Sequence, residues 1–172
     1  MRIVGRTALL CSLFTLASFA QNPQVESGRN VLDGTPWAVI SVVSDSAIAP
    51  VPVLEVHCSI RNSRPSIRIV LVSGPLKPHL GTGLEFGPPM EWLLPTKLDE
   101  GTAIRRSWVP SDQRDSYVYD GHSQRKFLDG LLAAKTFYVE FERFGERGKY
   151  IASFDVSHLR EALASRPECA AK

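Results

Sequence analysis

The clearest pattern in the chain is a strict alternation over residues 54–60. Leu54, Val56, Cys58 and Ile60 are separated by Glu55, His57 and Ser59. A period of two puts the first set on one face of a strand and the second on the other, so Cys58 faces a core and His57 faces solvent. Arg61 to Pro65 reads as a turn, and Ile67 to Val72 as a returning strand that is apolar on both faces. A second hairpin is legible further on. Phe137, Val139 and Phe141 alternate with polar neighbours, Gly145 to Gly148 turns the chain, and Tyr150, Ala152 and Phe154 share one face of the return.

Between and before these hairpins the signals are shorter. Trp37 to Val43 is a β-branched run suited to a strand, and Ser44 to Pro52, with two prolines and several small residues, reads as a loop. Gly74 to Pro95 holds so many glycines and prolines that continuous helix is excluded there. Short strands are predicted at Leu84 to Phe86, Glu91 to Leu94, Thr102 to Val109 and Tyr117 to Tyr119. Two segments carry helical spacing. Ser123 to Lys135 places Phe127, Leu128, Leu131 and Leu132 on one face, although Gly130 weakens it. Ser157 is placed as an N-cap for a short helix with Leu159, Ala162 and Leu163 inward, which Pro167 ends. No internal repeat is present. The expected fold is mainly β: an antiparallel sheet or β-sandwich in a single domain, with two short helices packed at one edge or face.

The ends of the chain behave differently. Arg2 and Arg6 precede an apolar stretch from Ala8 to Phe19, and Ser18-Phe19-Ala20 supplies small residues where a signal peptidase reads. Residues 1–20 are therefore expected to be a cleavable secretory signal, with cleavage before Gln21. The apolar stretch is too short for the roughly 20 residues that a membrane-spanning helix needs. Cys11 lies inside the apolar stretch rather than after it, which argues against lipidation. Residues 21–34 are polar and aperiodic and read as a flexible lead-in. The globular domain is then placed at 35–169, with 170–172 as a tail.

Removing the signal changes the charge. The full chain has 20 Lys and Arg against 18 Asp and Glu, and Arg2 and Arg6 are the whole excess. A neutral mature chain lacks the phosphate-neutralising surplus of a general nucleic-acid binder, so no nucleic-acid partner is expected. Cys11 also leaves with the signal. Cys58 and Cys169 remain, an even pair suited to one disulfide in an oxidising, exported compartment, periplasmic or extracellular. Two free thiols are the alternative.

No catalytic, metal or cofactor constellation stands out. There is no Gly-x-Ser-x-Gly elbow. His57 and Cys58 point to opposite faces of one strand and cannot form a dyad. His57, His79, His122 and His158 are scattered, without ligand spacing. Asp112, Asp115 and Asp120 lie around turns and lack the pattern of a calcium loop. Glu140 and Glu142 share a strand face and read as its solvated side rather than as a glycosidase pair. The mild positive is arginine. Arg61, Arg64 and Arg68 surround the first hairpin, and Arg105 and Arg106 lie on a later strand. Arginines near one another can grip a carboxylate or phosphate bidentately, and a solvated face balanced by acids is the plainer alternative.

The order of several segments resembles a known pattern. Phe127-Leu-Asp-Gly-Leu-Leu-Ala-Ala-Lys135, Phe137 to Phe141, Ala152 to Ser157, Leu159 to Leu163 and Cys169 follow one another as in the VasI/TagO-like proteins associated with type VI secretion. In that family a tryptophan opens the domain, a strand carries a cysteine, and a short helix precedes a second cysteine; Trp37, Cys58 and Cys169 occupy comparable places. Ser44-Asp45-Ser46 stands as a shorter form of the family's Asp-Asp-Ser stretch, and Gly74 to Pro95 has no counterpart. The invasion-associated locus B family has a similar outline. Neither resemblance implies a catalytic residue.

These readings converge on an exported, non-enzymatic envelope protein that binds another envelope protein or a cell-wall component through Arg61, Arg68, Arg105 and Arg106, with exposed aromatics such as Tyr117 or Tyr119. The resemblance implies a type VI secretion accessory. A cell-wall glycan or peptide hydrolase with unpaired carboxylates, or a purely structural exported domain, are the alternatives. The partner and oligomeric state are not legible.

Overall fold

The structure is a computed structural model and describes residues 22–61, 64–74, 92–111, 115–119, 123–143 and 147–169. The expected signal segment, the strand expected at 84–86, and His79, His122, Asp112 and Asp120 lie outside the described residues.

The chain is mainly β, and its strands form one antiparallel sheet rather than a sandwich. The strands are β1 (Gln24–Arg29), β2 (Pro36–Val43), β3 (Val53–Arg61), β4 (Arg64–Val72), β5 (Trp92–Leu98), β6 (Ile104–Pro110), β7 (Ser116–Tyr119), β8 (Thr136–Phe141) and β9 (Tyr150–Asp155). They lie in the order β1-β2-β3-β4-β7-β6-β5-β8-β9. Two helices, α1 (Gln124–Ala133) and α2 (Leu159–Ala164), and a 3₁₀ turn at Pro167–Cys169 complete the fold.

The alternating residues fix the faces. Leu54, Val56 and Cys58 are buried on β3, and their cross-strand partners Val42, Ile40 and Ala38 on β2 are buried with them. The same inner face continues through Leu71, Tyr117, Trp108 and Leu94 to Phe137, Phe154 and Ala152. Helix α1 delivers Phe127 into the middle of this face. Its ring lies 4.7 Å from Tyr119, 6.1 Å from Trp108 and 5.7 Å from Phe137 between centroids. Gly130 has a positional reason: a β-carbon there would meet Leu98 Cδ1 at 3.0 Å, so the glycine lets the helix sit close on β5. Cys58 and Cys169 form the disulfide, with α-carbons 5.0 Å apart, and it staples the turn after α2 to the inner face of β3.

The polar lead-in expected over residues 21–34 is corrected. Residues 24–29 form β1, paired along its length with residues 36–41 of β2, so the folded domain begins before residue 35. The strand carries no alternation because it is an edge held by backbone hydrogen bonds, and only Val25 and Gly28 are partly covered. The expected N-cap also shifts by one. His158 occupies the cap of α2, and Ser157 instead donates from its hydroxyl and its amide to Asp155.

The two ends of the sheet are tied together. Past β2 the chain swings toward β9. Asp45 N–H and Ser44 Oγ both donate to the Ser153 carbonyl, at 2.9 Å each. Ser46 Oγ donates to the Ile151 carbonyl at 3.2 Å and accepts from Ser153 N–H at 3.1 Å. The Ser44-Asp45-Ser46 segment is thus a clasp. Beyond it, the guanidinium of Arg143, buried just past β8, donates to the Ala49 and Pro50 carbonyls and lies beside the rings of Phe141 and Tyr150.

Candidate binding groove

The outer face of β2, β3 and β4 is where polar chemistry collects. Antiparallel register sets Trp37, Ser59 and Ser66 in one row across these strands, and Val39, His57 and Arg68 in the next. The turn between β1 and β2 rises beside them. It is tightly bonded: Asn30 N–H donates to Thr35 O and Gly34 N–H to Asn30 O, both at 2.9 Å. The Asn30 and Asp33 side chains accept from Leu32 and Thr35 amides, again at 2.9 Å. Gly34 takes a positive φ of 67°, which a residue with a β-carbon adopts only with strain. Turn and sheet together enclose a groove of ≈ 380 Å³, lined by Trp37, His57 and Arg68, with Asn30, Asp33, Ser59 and Ser66 around them.

Each of the three central side chains is placed by a neighbour. Trp37 lies over Gly28, its cross-strand partner on β1, so closely that a β-carbon on the glycine would be 2.9 Å from the indole. His57 Nε2 sits 2.6 Å from Glu55 Oε2, two residues back on the same face of β3. Arg68 is directly opposite His57 across the β3–β4 pair and is exposed. Among the described residues Arg68 has no hydrogen bond or ion pair. The groove therefore offers one aromatic plate, one uncommitted guanidinium and a fringe of amide and hydroxyl groups.

The arginines expected to share a surface are dispersed. Arg68 lines the groove, and Arg61 and Arg64 pair at the end of the same hairpin. Arg105 is exposed on β6, which β7 separates from β4. Arg106 points to the opposite face from Arg105. Its Nε donates to Thr96 Oγ1 at 3.0 Å, and its guanidinium lies 4.3 Å from the Phe127 ring centre, so it caps the core. Adjacent strand residues point to opposite faces, which is why the pair cannot act together.

The other candidates fall out as structural. Tyr117 and Tyr119, expected as exposed aromatics, are buried, because β7 lies inside the sheet and turns both rings to the core face. Glu140 pairs with Lys149 at 2.6 Å on the outer side of the last hairpin. Asp115 accepts from the Ser111 and Ser116 hydroxyls and shapes a turn. Among the described residues no three His, Cys, Asp or Glu side chains are grouped to hold a metal, and no helix is long and apolar enough to cross a membrane. Trp37, His57 and the Asn30 and Asp33 turn were not singled out as a site by sequence reasoning. The available signal was the closeness of the two strands in sequence: β3 ends at Arg61 and β4 begins at Arg64, and that spacing sets His57 against Arg68.

Comparisons with protein-family models, with characterised proteins and with solved structures find no significant match.

Proposed function

We propose that the chain is an exported, non-enzymatic binding domain whose partner, an envelope protein or a cell-wall component, docks on the groove of the β2–β4 outer face. The observation that carries this reading is the groove itself, whose lining brings together the Trp37 ring and an Arg68 guanidinium that has no partner among the described residues. Tryptophan and arginine are among the side chains most enriched where binding energy concentrates at an interface. The Cys58–Cys169 disulfide supports an oxidising compartment. The places of Trp37, Cys58 and Cys169 support an accessory role of the VasI/TagO-like kind.

The test is retention of the mature, disulfide-bonded protein on isolated peptidoglycan sacculi and on immobilised envelope extract from the source cell. Trp37→Ala and Arg68→Glu should each lower retention on one of these by about tenfold, the scale of losing one charge-assisted or aromatic contact. Arg105→Glu should leave it unchanged. Equal retention of all four proteins would remove the groove from the function.

A further inference from the structure

Resting on that reading of the groove, we propose that its ligand is a saccharide bearing a single carboxylate, held with the ring face on Trp37 and the carboxylate on Arg68. Three observations select this chemistry. The first is charge. The groove's two basic side chains are His57 and Arg68, and His57 is already committed to Glu55 at 2.6 Å. One free guanidinium matches one carboxylate as a two-pronged pair. A phosphate group carries up to twice the charge, and the lining offers it only one uncommitted basic side chain.

The second is the Trp37 ring. Its packing over Gly28 fixes it along the sheet surface, leaving a preset apolar plate at the groove. A pyranose ring presents a flat C–H face to such a plate and hydroxyls at its edge. The third is the fringe. Asn30, Thr35, Ser59 and Ser66 border the space, so hydroxyl-scale hydrogen-bonding groups surround the plate on several sides. A purely aliphatic acid would leave these without use. The volume of ≈ 380 Å³ lies at the lower end of the roughly 300–1,000 Å³ range of small-molecule sites and suits a short saccharide.

The experiment titrates the mature oxidised protein with N-acetylmuramic acid and with N-acetylglucosamine, which differ by the carboxylate-bearing ether substituent, following the Trp37 indole N–H resonance and amide shifts of β2–β4. Inorganic phosphate is a third arm. N-acetylmuramic acid should bind at least about tenfold more tightly than N-acetylglucosamine, the discrimination expected of one charge-assisted pair. Arg68→Gln should bring the ratio close to one, and Arg105→Gln should leave it intact. Arg68 is exposed and bonded to no described residue, so that variant will fold. Equal affinity for the two sugars, or perturbation of β2–β4 by phosphate at lower concentration than by N-acetylmuramic acid, overturns the ligand class. If neither sugar binds while envelope retention still depends on Trp37 and Arg68, the saccharide is wrong and the groove stands. If retention is also independent of both residues, both readings fall.

Discussion

The indole of Trp37 rests on Gly28. The two are cross-strand partners of β1 and β2, and the clearance leaves no room for a β-carbon between them. A glycine in an edge strand costs backbone entropy and offers no side chain to pack, so its presence here marks a close approach. Gly28→Ala should push the ring off its seat. The expected result is a shift of the Trp37 indole N–H resonance and a loss of envelope retention comparable to Trp37→Ala. Stability should fall by only about 1 kcal/mol, because β1 is an exposed edge. The indole resonance and urea unfolding of the variant check both halves, and an unmoved resonance would show that the ring does not depend on the glycine.

Arg143 is a second placed side chain. Its charge is buried, and carbonyls of the loop after β2 accept hydrogen bonds from it. Arg143→Met keeps the volume and leaves the Ala49 and Pro50 carbonyls without these donors. Ala49 and Pro50 are exposed, so water can replace the lost donors, and the expected loss is that of two charge-assisted hydrogen bonds net of solvation, about 2 kcal/mol. Arg143→Lys should recover only part, since a single ammonium cannot reproduce the planar fork. Chemical denaturation of the two variants is the measurement.

The disulfide joins residues separated by 111 positions. In the chain-entropy model a loop of that length restrains the unfolded chain by about 5 kcal/mol, and measured losses run about 2–5 kcal/mol. Cys58→Ala with Cys169→Ala should lower the unfolding midpoint accordingly. Treating the native protein with reductant should move its midpoint to that of the double variant. A midpoint that ignores reductant would remove the staple from the account of stability.

Tyr117 makes stability sensitive to alkali. Its ring is fully buried between β4 and β6, and its hydroxyl donates to the Glu142 carbonyl at 3.3 Å. Burial first, and the nearby Glu142 charge second, push the phenol above its ordinary value. The unfolded chain then releases a proton near pH 10 that the folded chain keeps, so stability falls as pH rises through that value. Tyr117→Phe should flatten this alkaline slope while costing about 1 kcal/mol at neutral pH. Unfolding curves from pH 7 to pH 11 give the comparison.

How much of this was legible beforehand divides along physical lines. The alternation in β3, the strand pair β8 and β9, and the stripe of α1 are local patterns, and each appears as read. Cys58 was placed inward by period alone and is inward. Strand β1 escaped because an edge strand with both surfaces wet leaves no period in Gln24 to Arg29. Arg143 escaped because nothing local distinguishes a buried arginine from an exposed one; its partners lie more than 90 residues away. The groove was partly within reach. Arg68 was named for its charge, but its setting depends on register with His57 and on a turn from another hairpin. Arg106, named for the same reason, is drawn inward by Phe127, a helix residue that only the tertiary fold brings near.

The clasp of Ser44, Asp45 and Ser46 bears on how copies of this protein meet in a crowded compartment. A terminal strand normally presents a row of unpaired amides and carbonyls that invites another sheet to add to it. The clasp takes up Ile151 and Ser153, the middle of β9, with groups from the same chain. At the opposite end, β1 carries Glu26 and Arg29 with a glycine between, a short charged border poorly suited to extending the sheet. Serine-to-alanine changes in the clasp would therefore show first as self-association on storage, at concentrations where the native protein stays dispersed.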